Sequence, residues 1–150
     1  MELSILKKEL REACFTELDE RISSLRKVME DAQQSANDYG QPKDRYDSYR
    51  TQLLRKRDMF GQQLSKIIEQ RSLLERLDPE KQNSTVEFGA LVITDKQKIF
   101  VSVGIGKFIY KGEEFFVISP VVPFCKAMDW KQKGDAFEFR GQKFTIKDIA

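Results

Sequence analysis

Histidine is missing from all 150 residues. That absence removes Ser-His-Asp and Cys-His catalysis, imidazole general bases and histidine-bearing zinc sites together. Any chemistry must rest on carboxylates, lysines or hydroxyls. Cysteine is nearly missing too: Cys14 and Cys125 stand far apart, form no CxxC or metal-ligand spacing, and read as reduced thiols in a reducing compartment. No apolar run approaches the roughly 20 residues a membrane span needs. Glu2, Lys7, Lys8 and Glu9 put charge into the first turns, so a cytoplasmic protein is expected. An excess of one charge is also lacking. Against 26 basic residues stand 24 acidic ones, a net of +2, which does not suit nucleic-acid binding by bulk charge.

What is abundant is charge itself, 33% of the residues, and a balanced polyelectrolyte of this kind suits exposed amphipathic helices. From Phe15 the apolar positions run Phe15, Leu18, Ile22, Leu25, Met29, Ala32, Ala36, alternating in steps of three and four as a coiled-coil seam does. Upstream, Leu3, Leu6, Leu10 and Cys14 continue the helix in a shifted phase, as a stutter produces. The seam narrows to Ala near its end, where a partner helix can approach closely. Gly40, Gln41 and Pro42 then punctuate the chain and predict a tip at about residues 38–43.

The returning helix carries Tyr46, Tyr49, Leu53, Phe60, Leu64, Ile67 and Leu74, with Lys56 and Arg71 at two seam positions, and ends at Leu77-Asp78-Pro79. Two helices of about 35 residues joined by a short turn pack antiparallel, a rod of roughly 50 Å at about 1.5 Å per residue. Residues 1–78 are thus expected to form an antiparallel coiled-coil hairpin. Self-association through the same heptads is the competing use of such a seam.

Residues 79–85, Pro-Glu-Lys-Gln-Asn-Ser-Thr, are polar and turn-rich and predict a linker. From 86 to 150 the pattern turns to strands: 86–94, 99–103, 108–111, 113–118, 136–140 and 143–149. Lys111-Gly112 and Arg140-Gly141 mark tight hairpins, and Gly134-Asp135 marks another turn. Between Ser119 and Trp130 the spacing of Phe124, Ala127 and Met128 predicts one short helix opened by Pro123. The expected fold class is α+β, a helical hairpin followed by a small antiparallel sheet with one short helix. Phe124 and Met128 are expected in the core, and Trp130 is placed to join an apolar docking patch.

The segment Ile118-Ser119-Pro120-Val121-Val122-Pro123-Phe124-Cys125-Lys126-Ala127-Met128, followed by Gly134-Asp135 and a last strand, resembles the Gre family of bacterial transcript-cleavage factors. Members show an I-S-x-x-S-P-hydrophobic-x-x-A-L segment, a G-D turn and a closing strand. Val86-Glu87-Phe88-Gly89-Ala90-Leu91-Val92 is similar to the family's V-x-x-G-S-x-V opening strand. Val122 stands where Ser is usual, and Asp129-Trp130 stands where a Leu-Gly-like pair is common. The family's order, a helical hairpin before an FKBP-like domain, covers essentially the whole chain.

At the tip the family carries G-D-x-x-E-N-A-E-Y, and the matching stretch here is Gly40-Gln41-Pro42-Lys43-Asp44-Arg45-Tyr46-Asp47-Ser48. The resemblance implies that Asp44 and Asp47 help hold a catalytic magnesium shared with RNA polymerase. Gln41 replaces the acid that the family pairs with the first of these. A carboxamide can offer its oxygen to a hard cation but no charge. Asp38, on the other side of the turn, can supply a further carboxylate. Acids three apart at a helix start are equally explained by the helix dipole and its free amides.

Six basic residues lie between 43 and 57 (Lys43, Arg45, Arg50, Arg55, Lys56 and Arg57), a face that suits the phosphates of an RNA end as well as plain solvation. Arg50, Arg45 and Lys56 are the expected RNA contacts. Val121, Val122 and Pro123 are the turn that the resemblance docks on the polymerase. Tyr46 and Tyr49 suit a seam better than base stacking.

The expectation is a monomeric transcription elongation factor, among transcription and DNA-binding proteins. It would be no enzyme by itself and would insert its hairpin into the polymerase secondary channel to stimulate or modulate cleavage of backtracked RNA. A secondary-channel regulator without cleavage is the alternative within that fold. A helical-hairpin adaptor or chaperone-like module is the alternative outside it. Isomerase activity is not expected, since the sequence shows no apolar pocket for it.

Overall fold

The computed structural model describes residues 2–41 and 48–150. Two long helices, α1 (Leu3–Tyr39) and α2 (Tyr49–Arg76), precede six strands: β1 (Leu91–Thr94), β2 (Lys98–Val101), β3 (Gly106–Tyr110), β4 (Glu113–Ile118), β5 (Ala136–Phe139) and β6 (Gln142–Ile149). A short helix, α3 (Pro123–Ala127), lies between β4 and β5. The chain is α+β. It divides into two compact units, one of Thr16–Glu69 and one of Met1–Phe15 with Gln70–Ala150.

In the first unit the two helices run antiparallel, because cross-helix pairs climb one helix as they descend the other. The Met29 methyl faces Gly61, Arg57 donates to the Gln33 side chain, and the rings of Tyr39 and Tyr49 meet edge to face at 4.8 Å. Leu18, Ile22, Ala32 and Ala36 are buried, following the expected seam. α1 stops where Gly40 takes a positive φ of 81° and gives its N–H to the Ala36 carbonyl, a backbone shape that glycine adopts without a Cβ penalty.

On α2 the half-buried and buried positions include Leu53, Arg57, Phe60, Leu64, Ile67, Arg71 and Leu74, again in steps of four and three. Arg57 therefore holds the position expected for Lys56, which is exposed. The sequence misleads there because the aliphatic stem of an arginine can lie along a seam while its head finds a partner. Tyr49 is exposed beyond the seam's end. The expectations for Pro42, Lys43 and Tyr46 fall on residues outside those described.

In the second unit α1 meets the end of α2 through two basic residues one turn apart. Arg11 donates from Nε to the Leu74 carbonyl and from Nη2 to the Glu75 carbonyl, both at 3.3 Å. These are last-turn carbonyls, where the α-helical ladder runs out, and the Leu74 carbonyl also accepts the Leu77 N–H at 3.2 Å. The Phe15 ring lies between the Arg11 and Arg71 guanidinium groups, 4.8 and 5.0 Å from its centroid, contacts worth about 0.5–1 kcal/mol each. Lys7 is only 1% exposed, and its ammonium donates to the Lys81 carbonyl at 2.6 Å. Leu10, Cys14, Leu74 and Leu77 are buried around these polar ties.

The six strands form one sheet in the order β3-β4-β2-β1-β6-β5. All neighbours are antiparallel except β2 and β4, which are parallel. The all-antiparallel expectation fails at that pair. Alternation of apolar residues states which face a side chain occupies and says nothing of which strand lies beside it. Both expected hairpins close on turns with two positive φ angles, 50° and 78° at Lys111-Gly112, and 51° and 79° at Arg140-Gly141, as a two-residue type I′ connection requires. The first strand starts five residues later than expected. Val86 instead bonds to the turn after α3, and Gly89 turns at φ 92° against Leu77.

One face of the sheet carries Val92, Ile99, Val101, Phe144 and Ile146 against Cys125 and Met128. Phe124 meets Phe137, Phe139 and Phe144 edge-on at centroid distances of 5.6, 5.2 and 5.3 Å. Such pairs contribute about 1 kcal/mol each beyond area burial, and they hold a five-residue helix too short to persist alone.

Burial lowers the Lys7 pKa, partly offset by the Asp78 carboxylate. With the folded pKa below the ordinary 10.5, the unfolded chain holds more proton between the two values. The penalty is therefore fully present below that window and relieved as pH rises through it. The unfolding free energy of the natural protein minus that of Lys7→Met is expected to increase from neutral pH toward 10.5. Urea denaturation across that range measures it, and a flat or falling difference contradicts the assignment.

Candidate functional site

The residues singled out in the sequence fall in two places. Asp44, Arg45 and Asp47 lie outside the described residues. Beside them, Gln41 is exposed, and Asp38 is exposed with its Oδ1 accepting a hydrogen bond from Gln34 at 2.8 Å. Arg50 and Lys56 stand on α2, but six residues apart they point about 120° from one another around the helix. Arg50 instead shares a face with Arg57, whose guanidinium is engaged by Asp58 at 2.7 Å and by Gln33. Among the described residues no group of three or more acids or cysteines is placed to hold a metal ion.

The second place surrounds α3. After β4 the Ser119 hydroxyl accepts the Val121 N–H at 3.3 Å and the Ser119 carbonyl accepts the Val122 N–H at 3.3 Å, forming a tight turn. Pro123 follows at the start of α3, where its missing N–H costs nothing. Val121 is 69% exposed and Pro123 is exposed, whereas Val122 is half-buried and packs on the core. The turn therefore offers two apolar side chains outward and anchors itself with the third.

Beyond α3 the chain makes a second turn, closed by the Lys131 N–H on the Met128 carbonyl at 3.2 Å. Trp130 occupies its third position at φ 62°, a conformation that glycine takes freely and a bulky residue takes only when held. It is held. Its N–H donates to the Val86 carbonyl at 3.0 Å, and the Val86 N–H donates to the Lys131 carbonyl at 2.9 Å. Asp129-Trp130 thus sets a bulky side chain at this position at an energetic cost. The indole, 66% exposed, is not repaid by burial.

Trp130 borders a cavity of about 400 Å³ lined also by Val86, Phe88, Val101, Pro120 and Cys125, with Lys81, Glu87 and Asp129 supplying the charge. Burial, assisted by the nearby Asp129 carboxylate, pushes the Cys125 thiol up to about 12. Cys125 is therefore a neutral, apolar lining group and no nucleophile. Lys81 Nζ pairs with Glu87 Oε1 at 3.2 Å. Asp129 has no ion-pair partner among the described residues. The pattern of the sequence pointed to Trp130 but could not show the cavity, because its walls come from segments as much as 49 residues apart, 81 and 130 at the extremes.

No family model matches the chain, and no curated protein matches it. Among solved structures it is similar to the GreA factor homolog 1 protein of Thermus thermophilus. The identity is 16% and the TM-score 0.34, over 91% of this chain and 94% of that one.

Replacing Trp130 by glycine removes the left-handed strain at the cost of an indole that is mostly in water. Trp130→Gly is expected to raise the unfolding free energy by about 1 kcal/mol, read by far-UV circular dichroism in urea. A loss of similar size instead would make the indole a packing residue.

Proposed function

We propose that this protein is a transcription elongation factor that binds RNA polymerase and acts on backtracked RNA through the polymerase active site, with no activity of its own. The observation that carries the reading is where the resemblance falls on the fold. Ile118 closes β4, Pro123 opens α3, and Gly134 takes the turn at φ 93°. β5 and β6 then close the sheet, and a long antiparallel helix pair comes first in the chain, in the family's order.

In this reading Val121 and Pro123 meet the polymerase, with Val122 beneath them, and the helix pair enters the secondary channel. Arg50, Arg45 and Lys56 are the cations offered to the phosphates of the RNA end, with Arg50 and Lys56 on different faces of α2, and each contributes a salt-dependent share of affinity. Asp44 and Asp47 lend carboxylate oxygens, hard ligands of the kind magnesium takes. The magnesium is shared with the polymerase, where it activates water and steadies the leaving oxygen.

Gln41 favours a second reading, a regulator that occupies the same channel without stimulating cleavage. An amide oxygen can touch the cation but neither balances its charge nor accepts a proton. Transcript length on a backtracked complex separates the two: shortening marks cleavage, slowed extension without shortening marks regulation. A third reading, a hairpin adaptor, requires that core polymerase fail to retain the protein.

If Asp44 and Asp47 act together, Asp44→Asn and Asp47→Asn each abolish stimulated cleavage with polymerase affinity nearly unchanged, and Gln41→Asp accelerates cleavage. Cleavage unaffected by Asp44→Asn, or activity that appears only in Gln41→Asp, hands the case to the regulator. Loss of polymerase binding by the natural protein would sink both.

A further inference from the structure

Trp130 combines three properties that rarely meet. It occupies a backbone conformation that costs free energy for any residue with a Cβ, it is 66% exposed, and it stands at the mouth of a cavity of about 400 Å³. Glycine would take that backbone conformation without strain, so the turn by itself does not explain an aromatic there. Most of the Trp130 surface is open to something that comes from outside.

The charges decide what that is. Among the lining residues Lys81 and Glu87 neutralise one another at 3.2 Å, which leaves the Asp129 carboxylate as the uncompensated charge at the rim. Asp129 precedes Trp130 directly in the same turn, and both residues border one opening, a carboxylate beside an indole. The remaining walls, Val86, Phe88, Val101, Pro120 and Cys125, are apolar, and the cavity is of a size that takes a single large side chain. A phosphate or carboxylate is repelled by Asp129. A purely aliphatic side chain leaves Asp129 to be desolvated without a partner.

We propose that this cavity recognises an arginine side chain, carried between apolar neighbours on a protein partner. The guanidinium lies on the Trp130 indole and pairs with Asp129, while the aliphatic stem runs along the apolar wall. Arginine fits better than lysine because its planar, weakly hydrated head both stacks and forms the fork that a carboxylate accepts. The assignment stands on this cavity alone and is independent of whether the partner is RNA polymerase.

Trp130 is the one tryptophan of the chain, so its fluorescence reports on the site directly in the full-length protein. The probes are three blocked tripeptides, Leu-Arg-Leu, Leu-citrulline-Leu and Leu-Leu-Leu, titrated to about 50 mM. The arginine peptide is expected to change the Trp130 emission saturably. The neutral citrulline isostere, and the arginine peptide with the Asp129→Asn protein, should each bind at least about tenfold more weakly. An unchanged thermal midpoint and far-UV spectrum for Asp129→Asn would show that its fold is kept.

Equal saturation by Leu-Leu-Leu would overturn the proposal in favour of an apolar groove. So would an undiminished response of Asp129→Asn, or the absence of any saturable change. Because no polymerase is present, failure here leaves the transcription reading standing, and failure of polymerase binding leaves this one standing.

Discussion

The last turn of α2 is closed by the Leu77 N–H on the Leu74 carbonyl at 3.2 Å and by donors that come from α1, and the arrangement of the unit that holds the sheet depends on those ties. Arg11 reaches across from α1 to the Leu74 and Glu75 carbonyls, and one turn earlier Lys7 does the same for Lys81 in the segment that follows. Both donors are cations on one face of a single helix, so one rotational setting of α1 serves both. The apolar residues between them, Leu10 and Cys14, are buried in that same setting. Polar satisfaction and packing therefore select the same geometry, which is what gives a fold one answer and not several.

That tie has a consequence for the path of the chain. Residues 79–85 are polar enough to read as a free spacer, yet the Lys81 carbonyl is fixed by a buried ammonium and the Asn83 amide donates to the Ala150 carbonyl at 3.2 Å. The chain thus enters the sheet from a held position. Val86 then bonds with the turn after α3 before β1 begins, so the start of the sheet domain and the Trp130 turn are built from one another. The positive φ of Trp130 follows from that mutual construction and not from any preference of tryptophan.

The site residues differ in how much the local sequence constrains them. Val121 and Pro123 are exposed because Val122 and Phe124, alternating with them, are drawn into the core. On α2 the 3.6-residue period separates Arg50 from Lys56, so a basic stretch that is continuous in sequence divides between faces. A run of charge in a sequence is not a patch until the helix angle is applied to it.

What the sequence by itself determined was everything encoded in local period and local chemistry. The helix seams came from steps of three and four, the end of α1 from Gly40, the start of α3 from Pro123, and the two tight hairpins from Lys111-Gly112 and Arg140-Gly141. These follow because a dihedral preference or a side-chain period acts over a few residues and needs no distant partner. Only the tertiary structure decided the parallel pairing of β2 with β4, the place of Arg57 in the seam, the burial of Lys7, and the cavity beside Trp130. Each of those depends on which surface arrives opposite a residue from elsewhere in the chain. Alternation and charge say that a residue needs a partner, and only the fold says which partner it meets.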